Sequence, residues 1–97
     1  MIEEFACDGT SDIYNAVDSA AARAVLPQRL WRVAQRKLDL LEAAINLRDL
    51  ASPPGNRLEP LRGDLRGRFS IRINRQFRVI FTWADGSARS VYIHDYH

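Results

Sequence analysis

Between Arg57 and Arg78 the sequence gathers seven arginines (Arg57, Arg62, Arg66, Arg68, Arg72, Arg75 and Arg78) against two acids, Glu59 and Asp64. That stretch is strongly basic in a chain whose formal net charge is only +2. Lys37 is the one lysine, so every other basic side chain is arginine. A guanidinium is planar and always charged; its paired N–H groups match two phosphate oxygens and its flat face stacks on bases. A polyanion is the partner such a cluster suits, with an arginine-rich solvated strand surface as the competing explanation. The chain end His94-Asp95-Tyr96-His97 adds imidazoles, a carboxylate and a phenol. Arginines and a histidine suffice for metal-independent RNA scission, in which the 2′-hydroxyl attacks the adjacent phosphate. That reaction needs a base, an acid for the leaving oxygen, and cations against the charge growing on the phosphorane.

Other chemistries find little support. No P-loop, dinucleotide-binding glycine fingerprint, nucleophile elbow or zinc helix is present. Glu59, Asp64, Asp85 and Asp95 are too scattered to nominate a two-metal cluster. The single cysteine, Cys7, excludes an internal disulfide, and with only His94 and His97 it makes no cysteine-based zinc site, so it is expected as a buried small apolar residue. No metal and no cofactor are expected.

The elements that must position these groups follow from periodicity. A chain of 97 residues, 46% apolar and 27% charged, is expected to fold as one domain, residues 1–97. Met1 to Phe5 reads as a short strand, and Gly9-Thr10-Ser11-Asp12 caps a modest helix through Ile13, Tyr14 and Val17. A second helix starts near Pro27, with Leu30, Trp31, Ala34, Leu38, Leu41 and Ile45 as its core stripe. Its other face holds Arg29, Arg32, Arg36, Lys37, Asp39 and Glu42, a mixed surface. Pro53-Pro54-Gly55-Asn56 marks a connection.

Beyond it the period becomes two. Phe69, Ile71 and Ile73 alternate with Arg68, Ser70 and Arg72; Phe77, Val79 and Phe81 alternate with Arg78, Ile80 and Thr82. Asn74-Arg75-Gln76 and Asp85-Gly86 are turns, and a last strand puts Val91 and Ile93 on one side, Tyr92 and His94 on the other. A further strand is expected at Leu58 to Leu61. The fold class is therefore α+β: two helices on one face of a small antiparallel sheet of three to four strands. The other face exposes Arg68, Arg72 and Arg78 beside Tyr92 and His94, a surface able to grip a phosphate backbone and stack a base. The acids of the opening Met-Ile-Glu-Glu-Phe and the lack of any long apolar run predict a cytoplasmic protein without membrane contact. Asp8, Asp12 and Asp18 near the first helix suit either a partner or solvent.

The block Leu58-Glu59-Pro60-Leu61-Arg62-Gly63-Asp64-Leu65-Arg66-Gly67, then Phe69-Ser70-Ile71-Arg72-Ile73-Asn74, Phe77-Arg78-Val79-Ile80-Phe81 and the Asp95-Tyr96-His97 ending, resembles the HigB toxins of the RelE/ParE superfamily over the whole length. That resemblance implies a RelE-like microbial RNase fold and the toxin of a type II toxin–antitoxin system. It implies a ribosome-dependent messenger RNA endoribonuclease that halts translation, silenced by a helix-turn-helix HigA-type antitoxin in a hetero-oligomer. Carried over by position, Arg62 and Arg78 meet the scissile phosphate, and Asp95, Tyr96 and His97 match the functional carboxyl-terminal residues. Many relatives have histidine where this chain has Glu59, so that imidazole's role does not simply transfer.

For several of these residues two readings stand. Arg78 is either a phosphate clamp or a structural arginine paired with Asp95 or Glu59. Arg62 is assigned to chemistry and Arg66 to docking, with Arg57, Arg68 and Arg72 as further RNA-binding candidates. His97 is a general acid or a frayed end; Glu59 a general base or a solvated acid; Tyr96 a stacking or hydroxyl-donating group or a core residue, with Asp95 orienting its neighbours. Two other functions compete: a ParE-like inhibitor of DNA gyrase, and a nucleic-acid-binding module without catalysis.

Overall fold

The computed structural model describes residues 1–96. Apolar alternation in the second half of the chain builds four strands: β1 (Glu59–Pro60), β2 (Phe69–Arg72), β3 (Phe77–Ala84) and β4 (Ser87–Asp95). They form one antiparallel sheet in the order β1-β2-β3-β4. The β2–β3 turn closes on the Asn74 side chain, whose Oδ1 accepts from the amides of Gln76 (2.9 Å) and Phe77 (2.8 Å). The β3–β4 hairpin places Asp85 (φ 53°) and Gly86 (φ 76°) in the left-handed region that a tight two-residue turn requires.

One irregularity matters for the faces. Opposite the step from Ile80 to Thr82 the register slips, and Ser90 takes φ 51°. The bulge lets Ala88, Val91 and Ile93 all point to the core although their numbers do not share a parity.

Ile71, Ile73, Phe77, Val79, Phe81, Val91 and Ile93 bury one sheet face against Ile13, Leu26, Trp31, Ala34, Leu38 and Leu41. The helical layer has three α-helices rather than two: α1 (Asp8–Tyr14), α2 (Ala20–Val25) and α3 (Trp31–Ala43). α2 is a short alanine-rich turn with no apolar stripe of its own. It is held by Ser19, whose hydroxyl accepts from Ala22 N (3.0 Å) and donates to Asp12 Oδ2 (2.6 Å). α1 stops at Tyr14, and Val17 is exposed instead of extending it. Before α3, Gln28–Leu30 forms a single 3-10 turn after Pro27. The expected place of Ile45 in the core stripe is wrong: Ala44 leaves the helix with ψ 133°, and Ile45 is 76% exposed.

Two further expectations need correction. Residues 1–5 do not make a full strand but two isolated parallel bridges, Ile2–Ala88 and Phe5–Val91, on the outer edge of β4. Cys7 is half-buried, its sulfur 3.2 Å from the Thr10 hydroxyl, because the thiol lies beside the start of α1 rather than inside the core. Among the described residues no helix is long and apolar enough to cross a membrane.

Candidate nucleic-acid interface

The sheet face turned away from the helices carries two cross-strand rows. Glu59, Ser70, Ile80 and Tyr92 are successive partners across β1 to β4; Arg72, Arg78 and His94 form the next row. Along β4 and just past its end the rings of Tyr92, His94 and Tyr96 follow one another edge-on, with centroids 6.3 and 5.9 Å apart. A guanidinium lies over each tyrosine: Arg68 is 5.8 Å from the Tyr92 ring centre and Arg78 is 5.5 Å from that of Tyr96.

Arg78 is not exposed as its alternation predicts. It retains only 8% of its accessible surface, and the cover comes from the segment leading into β1, not from the helices. Its Nη2 donates to the Arg57 carbonyl (2.6 Å), its Nε donates to the Ser70 hydroxyl (2.7 Å), and the Glu59 carboxylate stands 3.9 Å from Nη2. A buried guanidinium is tolerable only with such acceptors around it. Tyr96, by contrast, is 47% exposed, so Arg78 supports one side of a ring that solvent still reaches.

The surrounding elements explain this geometry. Arg57 follows the 3-10 turn Pro54–Asn56 and adopts φ 47°, a left-handed conformation uncommon for a residue with a side chain. The site uses its carbonyl, while its own side chain is exposed. Glu59 sits on the short edge strand, half-exposed. The end of β4 is fastened to the β2–β3 turn: Tyr96 N donates to the Gln76 carbonyl (2.6 Å) and Gln76 Nε2 donates to Asp95 Oδ2 (3.1 Å).

The remaining arginines divide. Arg62 and Arg66 are exposed at the two ends of the 3-10 turn Gly63–Leu65, in a loop whose Gly63 (φ 64°) and Gly67 (φ 93°) need the left-handed backbone. Leu61, buried, ties that loop down, and its amide donates to the Arg68 carbonyl. Arg72 is half-buried and donates from Nε to the Asn74 carbonyl (3.1 Å), so it serves the turn as well as the face.

The structure therefore brings together Arg78, Glu59, Tyr96 and the backbone of Arg57, with Arg68 alongside Tyr92 one row away. Arg62 and Arg66 stand on a neighbouring loop. His97 lies outside the described residues. Sequence reasoning missed Ser70 and Gln76 as positioning groups. Ser70 is fully buried, yet its role depends on facing Arg78 from the adjacent strand, which only the register reveals. No group of His, Cys, Asp and Glu suited to a metal ion occurs among the described residues.

In chemical terms the face offers an aromatic strip with open edges, guanidinium groups close to it, and a carboxylate beside one of them. A single-stranded nucleic acid pairs stacking on such rings with phosphate contacts to the cations.

Comparison with known proteins gives the family. The family model described as "RelE-like toxin of type II toxin-antitoxin system HigB" matches residues 3–97. The protein "Toxin HigB-1" of Vibrio cholerae serotype O1 is 46% identical over 69 residues, covering 71% of this chain and 73% of the relative. An uncharacterized protein of Haemophilus influenzae is 38% identical over 74 residues, covering 74% of this chain and 73% of the relative.

Proposed function

This chain belongs to the HigB-like family of RelE-like toxins of type II toxin–antitoxin systems, and from that premise we propose that it is a metal-independent messenger RNA endoribonuclease acting on the ribosome. The substrate is a messenger strand whose bases lie open to stacking. In the reaction the ribose 2′-oxygen forms a bond to the adjacent phosphorus as its proton passes to a base, and the bond to the 5′-oxygen breaks as that oxygen takes a proton from an acid. The products are a 2′,3′-cyclic phosphate and a 5′-hydroxyl end.

The observation that carries this reading is the stack of Arg78 beneath the half-exposed Tyr96, with Glu59 at the same guanidinium. A base laid on the open side of Tyr96 is favoured by the cation behind the ring. Base–aromatic stacking of this kind is worth roughly 1–3 kcal/mol. Glu59 is the general base, a reading supported by its half-exposed carboxylate beside the Arg78 guanidinium. His97 is the general acid and Asp95 orients the chain end that bears it. Arg62 answers the charge that grows on the phosphorane, while Arg66, Arg57, Arg68 and Arg72 anchor the RNA of messenger and ribosome. A HigA-type helix-turn-helix antitoxin holds the toxin silent, and the site of action is the cytoplasm, where translation occurs.

The test is primer extension on messenger bound to programmed ribosomes, followed by analysis of the 3′ ends. Cleavage by the wild type with cyclic phosphate ends, lost in Tyr96→Ala, is the expected result. An intact messenger, combined with DNA damage signalling when the chain is expressed, points instead to gyrase inhibition and overturns the proposal.

A further inference from the structure

On the helical side of the molecule, with neither Arg78 nor Tyr96 in its lining, is a groove of about 490 Å³ between the outer face of α3, Pro53 and the end of β2. Its floor is aliphatic: Val33 and Leu40 from α3, with Pro53 and Ile73. Leu40 is 37% exposed, a large apolar side chain left partly open to solvent. The rim carries Arg36 and Lys37, with Asp39 the only acid in the lining.

The wall is preformed. Lys37 Nζ donates to Asn56 Oδ1, and Asn56, itself fully buried, donates to the carbonyls of Leu50 (3.1 Å) and Ser52 (3.2 Å). Two cations share that rim with one acid. Partial burial, and then the like charge of Arg36, hold the Lys37 ammonium below the usual lysine range. Neither cation belongs to an ion pair among the described residues, where the pairs are Arg23–Asp18 and Arg78–Glu59. A carboxylate brought to this rim relieves the repulsion between two neighbouring cations, and an apolar side chain fills the floor.

We infer that this groove is the seat of the cognate antitoxin, which inserts an aliphatic or aromatic side chain over Val33 and Leu40 and sets flanking carboxylates against Arg36 and Lys37. The inference rests on the family assignment, which supplies an antitoxin as partner, and not on the cleavage reaction. A protein segment fits better than RNA because the lining has no ring on which a base stacks, whereas the opposite sheet face has three. The partner's contact segment is therefore acidic and amphipathic, the pattern of a helix laid in an apolar groove.

The experiment measures the Kd of the purified chain for its cognate antitoxin, alongside messenger cleavage by the free toxin on ribosomes. Leu40→Glu is expected to weaken antitoxin binding by about 30-fold or more, as loss of a central apolar anchor does. Arg36→Glu is expected to weaken it about tenfold at low salt and less at high salt. Neither residue belongs to the proposed cleavage site, so both variants are expected to cleave within about threefold of wild type, which also certifies their fold. Unchanged antitoxin affinity in both variants overturns the inference. So does a loss of ribosome-dependent cleavage with antitoxin affinity intact, which assigns the groove to the ribosome. A wild-type chain that binds the antitoxin but never cuts messenger refutes the cleavage proposal and leaves the Kd comparison fully interpretable.

Discussion

Arg78 shows how a residue's chemistry depends on what folds over it. Replacing it with alanine removes the donors to the Ser70 hydroxyl and the Arg57 carbonyl, and each group left buried without a partner costs about 1–3 kcal/mol. Urea denaturation of Arg78→Ala is expected to show that loss, and ribosomal cleavage is expected to fall roughly 5- to 30-fold as the ring of Tyr96 loses a cation–π contact worth about 1–2 kcal/mol. A variant that is destabilised yet cuts within about twofold of wild type assigns Arg78 a structural role alone. Lysine is no substitute, since a single ammonium cannot reproduce the fork that reaches both acceptors. Residue type and motif singled out Arg78, Glu59, Asp95 and Tyr96 as candidates, and the fold brings Arg78, Glu59 and Tyr96 side by side. The burial of Arg78 was not, because its cover is the backbone of Arg57, far away in sequence and directed by a left-handed turn. A second prediction concerns Asp49, whose carboxylate accepts from the amides of Asn46 and Ile45, both at 3.0 Å, and is held below the usual carboxylate range by them. Its folded pKa is depressed, so its stabilisation is present above the unfolded value near pH 4 and disappears as the pH falls through the folded value. Asp49→Asn is expected to lower the melting temperature at neutral pH, with the gap to wild type closing in strong acid.

Among the elements, α1 and α2 meet at Gly9. A Cβ there lies 2.4 Å from Val25 Cγ2 and 2.5 Å from the Ala21 carbonyl oxygen, and a backbone atom cannot step aside as a flexible side chain does. Gly9→Ala is therefore expected to destabilise by roughly 1–3 kcal/mol in chemical denaturation, against the usual rule that alanine favours a helix. The long stripe of α3 and the alternation of β2 and β3 were legible because each repeats over several turns or residues. α2 was not, since six residues of mostly alanine carry no periodic signal, and its existence depends on Ser19 and on contact with α1. Ile45 misled for a related reason: it continues the spacing of α3 in sequence after the helix has ended. The bulge at Ser90 was equally hidden, since Ala88 and Val91 read as opposite faces until one residue is looped out.

At the scale of the molecule the sheet separates two surfaces, aromatic and guanidinium groups on one side, the helical layer on the other. The proposed binding to ribosomal and messenger phosphates is expected to weaken steeply with salt, and Arg66→Gln, on the exposed loop, is expected to lower the slope of log affinity against log salt by about one unit without changing the fold. Equal slopes for both proteins remove Arg66 from the phosphate contacts. The two rims of the sheet carry a different consequence. On one, β1 is only two residues long and ends in Pro60, which has no amide hydrogen to offer. On the other, Ala88 and Val91 already exchange hydrogen bonds with residues 1–6, and the Ile93 amide donates to the Thr10 hydroxyl. An incoming chain thus finds little unspent main chain along which to zip, so neutralisation by β-augmentation is disfavoured and recognition must be carried by side chains.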